Sequence, residues 1–125
     1  MYNISVSIQY TKRRIISLYA KYLRDETDDL DVDFCLRAAG DSMIGARIYD
    51  GDIVFVRKQS SVDNGEIAAV LIDDEATLKR VYYYPDKNKL VLSPENPKYE
   101  PFVYIGEELD EVRILGKVVE LRAKF

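Results

Sequence analysis

Gly40-Asp41-Ser42-Met43 and Thr77-Leu78-Lys79-Arg80-Val81 are the two stretches of this sequence whose residue types could carry a reaction. In the first, a serine stands just past a strand-like run and beside a glycine, the setting of a tight turn. A hydroxyl held on such a turn projects as a nucleophile, while nearby backbone N–H groups can point at a developing oxyanion. In the second, a strand would place Thr77, Lys79, Val81 and Tyr83 on one face and Leu78, Arg80 and Tyr82 on the other. The Lys79 amine shares its face with Val81 and Tyr83 and is open to partial burial, which disfavours the ammonium and lowers its pKa. A lysine acting as general base near neutral pH must come down from about 10.4 to about 7–8. That is ~3 units, or ~4 kcal/mol, and only a dry, apolar site without a nearby carboxylate supplies it.

Each stretch has a plainer reading, and taken alone the plainer one is favoured. Serine is a common turn former, and a strand lysine commonly sits at an edge in contact with solvent. The absence of histidine from the chain changes the weighing. It removes Ser-His-Asp triads, Cys-His dyads and histidine metal sites together. A Ser-Lys pair is one of the few remaining ways to activate a serine. No cofactor or metal is expected.

Composition sets the frame. A chain of 125 residues, 47% apolar and 32% charged, is one ordinary domain able to build its own core. The single cysteine, Cys35, forbids an internal disulfide, as befits a reducing cytoplasm. Flanked by Phe34 and Leu36, it reads as a small buried hydrophobe rather than a reactive thiol. Eighteen basic against 22 acidic residues give a net charge of −4, a surface that does not attract a polyanion. Direct DNA binding is therefore not expected, and Lys12-Arg13-Arg14 reads as a solvated helix face. No apolar run approaches the ~20 residues that span a bilayer, and Met1 to Tyr10 lacks the charged and apolar regions of a signal peptide. A cytoplasmic protein is expected.

The elements that must position Ser42 and Lys79 are mostly strands. Residues 11–25 read as a helix, capped by Thr11, with Ile15, Leu18, Tyr19, Tyr22 and Leu23 on one face. An acidic stretch follows to Asp33, which divides the chain into an arm, 1–30, and a body, 31–125. In the body, Val32 to Ala38 reads as a strand, and Asp50-Gly51-Asp52 as a turn. Ile53 to Arg57 is a strand with Ile53 and Phe55 facing one way and Val54 and Val56 the other. After the Asn64-Gly65 turn, Glu66 to Ile72 is apolar enough for a central strand. Asp73-Asp74-Glu75 makes a tight turn into the strand Ala76 to Tyr84, which a turn at 85–88 joins to Lys89–Leu92. Pro94, Pro97 and Pro101 mark an irregular loop before a short strand, Phe102 to Ile105. Val112 to Arg122 closes the chain, with a bulge or close backbone contact expected at Gly116.

With these pieces in order, the sequence resembles a known family. GDSM, ARIYDGDIVFV and NGEIAAVLIDDEATLKRV, with Lys79 standing 37 positions after Ser42, are similar to the S24 peptidase domain shared by LexA, phage cI-type repressors and the UmuD mutagenesis protein. The likeness covers roughly residues 32–122, and weakly the arm. It implies a compact, strongly twisted β fold of the LexA/signal-peptidase type, carrying an N-terminal helical arm. It implies Ser42 as nucleophile, Lys79 as general base, the backbone N–H groups of Asp41 and Ser42 as oxyanion hole, and Met43 as a packing residue. Asp50, Gly51 and Asp52 would shape a turn without a catalytic role. The resemblance further implies a homodimer, with Arg113 to Arg122 as the dimer-forming edge through Ile114, Val118 and Leu121. It implies self-cleavage of a repressor hinge, triggered by a recombinase filament on single-stranded DNA, and DNA contact only through an N-terminal domain that this sequence does not include. A membrane signal peptidase also uses Ser and Lys, but the missing anchor speaks against it.

One part of the family pattern is not met. Such repressors cut at a small dipeptide, usually Ala-Gly, in the arm. Here the only Ala-Gly is Ala39-Gly40, which abuts the serine turn. A helix at 11–25 would itself oppose cleavage, which needs an extended substrate. The chain then reads as a fragment of a longer repressor, as a short natural form, or as a dyad acting on another chain or on nothing. Two further functions therefore stand beside the self-cleaving domain: a non-cleaving dimerisation or effector-binding module with a vestigial dyad, and a UmuD-like polymerase accessory.

Overall fold

The computed structural model describes the backbone of residues 5–11 and the whole of residues 32–123. Eight strands make up the described fold: β1 (Ser5–Thr11), β2 (Phe34–Ala39), β3 (Ile53–Lys58), β4 (Ile67–Ile72), β5 (Glu75–Tyr84), β6 (Lys89–Ser93), β7 (Phe102–Ile105) and β8 (Val112–Arg122). Three short 3-10 turns, at Ile44–Ala46, Pro85–Lys87 and Gly106–Glu111, complete it. The fold is mainly β, as expected from the sequence.

The strands lie in the order β1-β2-β3-β8-β4-β5-β6-β7, all pairs antiparallel. β1 also pairs with β5, Ser5 opposite Thr77 and Val6 opposite Ala76. The first six strands of that order thus form a closed ring, and β6 and β7 extend from β5. Ring closure leaves few open edges, which is one way a β protein avoids uncontrolled pairing. β1 falls within the stretch read as an arm, and Thr11, read as a helix cap, is instead the last residue of this strand, opposite Phe34. The remainder of the expected helix, 12–25, lies outside the described residues.

Alternation along the strands sorts the core into three clusters. Leu36, Ala38, Val54, Val56, Ala69, Ala76 and Leu78 meet with Met43 and Ile48 on the inner side of the ring. Cys35, Ile53 and Phe55, on the opposite faces of β2 and β3, pack with Val32. Ala68, Val70 and Val81 join Leu90 and Leu92 of β6, with Phe102 and Tyr104 of β7 alongside. β4 therefore contributes to two clusters and is buried on both faces. Cys35 is fully buried, and burial pushes its thiol up to about 11, Arg37 opposing only in part. Such a thiol stays protonated and inert. Asp73 and Asp74 both adopt positive φ, 50° and 65°, the two left-handed residues of a tight hairpin between β4 and β5.

β8 is the strand that differs most from expectation. It is not a free edge along its length: residues 116–122 pair with β3 and 112–117 pair with β4. Ile114, Val118 and Leu121 are partly buried against this chain's own core. The two pairings overlap around Gly116, and register shifts flank it on both sides. A Cβ there would collide with the Arg57 carbonyl and a Val56 methyl. Only glycine lets β3 and β4 share one strand at this crossing. Gly116→Ala is expected to destabilise the protein by about 1–3 kcal/mol, the usual cost of overpacking, read as a lower urea midpoint. An unchanged midpoint would mean that β3 moves away without cost.

Candidate active site

Ser42 lies on the turn that leaves β2. Gly40 supplies the positive φ, 92°, that reverses the chain. Its N–H donates to Asp50 Oδ1 at 2.9 Å, while Gly51 N–H donates to the Ala38 carbonyl and Ala38 N–H to the Asp52 carbonyl, both at 2.8 Å. Asp52 is buried and accepts the Tyr49 N–H at 2.8 Å. The Asp50-Gly51-Asp52 turn is thus a brace under the serine turn. Beyond the serine, Met43 is fully buried in the inner cluster, and the 3-10 turn Ile44–Ala46 begins. Ser42 itself has no exposed surface.

The loop 94–101 covers the other side. Glu95 N–H donates to the Ser42 carbonyl at 2.8 Å, and Gly45 N–H donates to the Glu95 carbonyl at 2.7 Å. Asn96 Nδ2 donates to the Asp41 carbonyl at 2.9 Å. The Tyr99 hydroxyl donates to the Asp41 carboxylate, with Lys98 Nζ at 3.7 Å. Tyr99 first, and Lys98 with it, holds the Asp41 carboxyl below its usual range, and the same contact raises the Tyr99 phenol. Because a peptide unit is planar and trans, each carbonyl directs the next N–H the opposite way. The Asp41 carbonyl faces Asn96, so the Ser42 N–H points away from that loop.

Lys79 lies in the middle of β5, opposite Ala68 of β4 and between the stretches of β5 that pair with β1 (76–77) and with β6 (80–84), with no exposed surface. The solvent-exposed edge reading of this residue does not apply. Its Nζ donates to Thr77 Oγ1 at 3.1 Å and to the Leu78 carbonyl at 3.0 Å. Thr77 shares its face, as strand alternation requires. The ring beside it is not Tyr83, which is exposed, but Phe102 of β7, 5.9 Å from Nζ to the ring centroid. Burial lowers the Lys79 pKa from 10.5 to about 7, and the negative charge of Glu75 offsets this only in part. The expectation of a site without a carboxylate is therefore not met: Glu75 acts on the amine, but burial outweighs it.

Two connections relate the serine turn to the lysine strand. Met43 and Leu78, the neighbours of Ser42 and Lys79, pack in one cluster. Glu95, bonded to the Ser42 carbonyl, also takes the guanidinium of Arg80, the other neighbour of Lys79. Sequence reasoning named the serine and the lysine but not Glu95, Asn96, Tyr99 or Phe102. Their only signal was a proline-rich loop, which marks irregular backbone without saying what it covers.

The fold is a mainly β domain that holds a buried turn serine and a buried strand lysine in a chain without histidine. The Peptidase S24-like family matches residues 6–119, and the chain belongs to that family. It is 52% identical over 92 residues to the LexA repressor of Desulforamulus reducens, covering 74% of this chain and 40% of that protein. It is 42% identical over 106 residues to the LexA repressor of Desulfatibacillum aliphaticivorans, 78% of this chain and 51% of that protein. A third LexA repressor, from Caldicellulosiruptor saccharolyticus, is 46% identical over 88 residues, 70% of this chain and 40% of that protein. The chain spans about half, or less, of the length of these relatives. Among the described residues no helix is long and apolar enough to cross a membrane, and no cluster of three or more acidic, cysteine or histidine side chains could hold a metal.

A buried lysine also sets how stability depends on pH. Its folded pKa, about 7, lies below the unfolded value, 10.5. Between those values the unfolded chain carries the extra proton, so stability rises with pH across the window. The full penalty, on the order of 4–5 kcal/mol for ~3.5 units, applies below pH ~7. Lys79→Met, which keeps the stem and removes the amine, should exceed the wild type in urea stability most at pH 6. That advantage should shrink steadily toward pH 10. An advantage independent of pH would contradict a neutral amine.

Proposed function

We propose that this chain is the self-cleaving regulatory domain of a LexA-type repressor, with Ser42 as nucleophile and Lys79 as general base. The observation that carries the reading is Lys79: a fully buried amine whose pKa burial brings to about 7, on a strand tied to the serine turn. At neutral pH a large share of such amines is unprotonated and able to accept the Ser42 proton.

The reaction follows from these groups. Ser42 Oγ attacks the scissile carbonyl carbon as its proton passes to Lys79 Nζ. The carbonyl oxygen becomes an oxyanion, received by the backbone N–H groups of Asp41 and Ser42. The direction of the Ser42 N–H, away from Asn96, supports that assignment. As the C–N bond breaks, Lys79 returns the proton to the leaving amine, and an acyl-serine remains. Water then attacks the ester, giving its proton to Lys79, and Ser42 Oγ leaves with that proton. Thr77 Oγ1 and the Leu78 carbonyl orient Nζ through both halves.

In the full repressor the domain would act on the hinge upstream, dimerise, and respond to a recombinase filament on single-stranded DNA in the cytoplasm, DNA contact belonging to a separate N-terminal domain. Homodimerisation is supported by the crossing of β8. Its residues 112–115 on the β3 side and 118–121 on the β4 side lack a strand partner among the described residues, leaving backbone available to a second copy. One observation favours the non-cleaving binding module as a second reading. The only Ala-Gly bond, Ala39-Gly40, is braced at the end of β2 and is not a free substrate.

Supplying an Ala-Gly hinge peptide and following its cleavage against pH decides between them. The peptidase reading expects a rate that rises with pH, half-maximal near 7, and levels off above. Ser42→Ala and Lys79→Ala should each lose at least about 100-fold while still unfolding cooperatively. Cleavage by either variant at the wild-type rate would contradict the dyad. No cleavage by the wild type at any pH would favour the binding module.

A further inference from the structure

Glu95 stands where the two halves of the proposed site meet. It belongs to the loop 94–101 between β6 and β7. Its side chain takes Nε of Arg80, the residue after Lys79 on β5. Its backbone holds the serine turn at two points, the N–H on the Ser42 carbonyl and the carbonyl on the Gly45 N–H, at 2.8 and 2.7 Å. The fit at Gly45 is close, since a Cβ there would stand 2.6 Å from the Glu95 oxygen. Arg80 is itself fixed, its Nη1 donating to the Gly65 carbonyl at 2.5 Å. The contact therefore ties backbone to backbone: the serine turn through Glu95 and Arg80 to β5 and the Asn64-Gly65 turn. The ion pair is a little under one-third exposed, so solvent screens its charge and its main contribution is geometric.

We propose that Glu95 is a positioning residue for peptide-bond cleavage: by gripping Arg80 with its carboxylate and the serine turn with its backbone, it sets the approach of the Ser42 hydroxyl to the Lys79 amine. The proposal rests on the peptidase reading above. Its physical basis is the steep dependence of such reactions on distance, where a displacement of about 1 Å can cost about 100-fold. The carboxylate acts through Arg80 and the turn, and takes no proton in the reaction.

The test uses the whole chain and two readouts: the pH profile of cleavage of an Ala-Gly hinge peptide, and acylation of Ser42 by a fluorophosphonate probe, located by mass spectrometry. Glu95→Ala should lower both the plateau rate and the labelling by about tenfold or more, with the midpoint of the pH profile unchanged. Glu95→Gln, which keeps an oxygen for Arg80, should recover most of the loss. Arg80→Ala breaks the same contact from the other side and should behave as Glu95→Ala, so the test stands even if one variant folds poorly. The proposal is overturned if both alanine variants keep plateau rates within about twofold of wild type, well short of the loss that misplacement brings. It is equally overturned if the midpoint climbs toward the ordinary lysine range in step with the loss, since that is the signature of a site opened to water. A wild type that labels at Ser42 as fast as both variants sinks this proposal alone. A wild type that neither cleaves nor labels at any pH sinks the peptidase reading and this inference with it.

Discussion

A lysine amine kept out of water is the constraint on which this molecule turns. Lys79 has a hydroxyl and a backbone carbonyl as hydrogen-bond acceptors, and an aromatic ring beside its head group. Neither acceptor carries a charge, so neither compensates the ammonium for its lost hydration. Glu75 acts from a distance and restores only part of it. The group therefore gives up its proton far more easily than a lysine in water, and the fold must absorb the cost of keeping it there. An ordinary domain has roughly 5–15 kcal/mol of stability in all. A penalty on the order of 4–5 kcal/mol is tolerable only where the surroundings are closed and well packed.

The architecture meets that need in a specific way. β4 pairs with β5 along the length that carries Lys79, while on the other side the pairing with β1 ends at Thr77 and that with β6 begins at Arg80. β7 then folds back and brings Phe102 over the amine. The crossing of β8 over Gly116 allows β3 and β4 to join the same ring without a gap. The serine turn is braced from below by the Asp50–Asp52 carboxylates and from above by the loop 94–101. Rigid supports on both sides suit a reaction whose rate depends on fractions of an ångström.

Much of this was legible in the residues. Strand alternation placed Ile53 and Phe55 against Val54 and Val56, and these pairs do enter different clusters. Glu66 to Ile72 read as a doubly buried strand because it lacks alternation, and β4 lies between β5 and β8. Gly116 stood out as a glycine inside a strand pattern, and the close contact there is real. The family resemblance, carried by GDSM and TLKR at the right separation, is borne out by the match over residues 6–119. Other features were hidden because they depend on tertiary contacts. Ser5 to Thr11 alternates polar and apolar residues, but its partners in β2 and β5 lie far along the chain. β8 read as an edge because nothing local reveals that two different strands share its length. Glu95, Asn96 and Tyr99 had no signal beyond their proline-rich loop, since the contacts that tie them to the serine turn and to Arg80 span more than ten positions. Strand alternation put Val81 and Tyr83 on the face of Lys79, but Phe102 covers the amine from a strand whose return is not visible in the sequence.

The central claim is the charge state of one amine, and it can be observed directly. Lysine labelled with 13C at Cε, followed by NMR across pH 5 to 11 and assigned by comparison with Lys79→Met, reports the titration of that group in the folded protein. The account predicts one lysine that titrates near pH 7 while the rest titrate near their ordinary value of about 10.4. A Lys79 resonance that stays protonated up to pH 10 would contradict it. A general base could not then be built on this side chain.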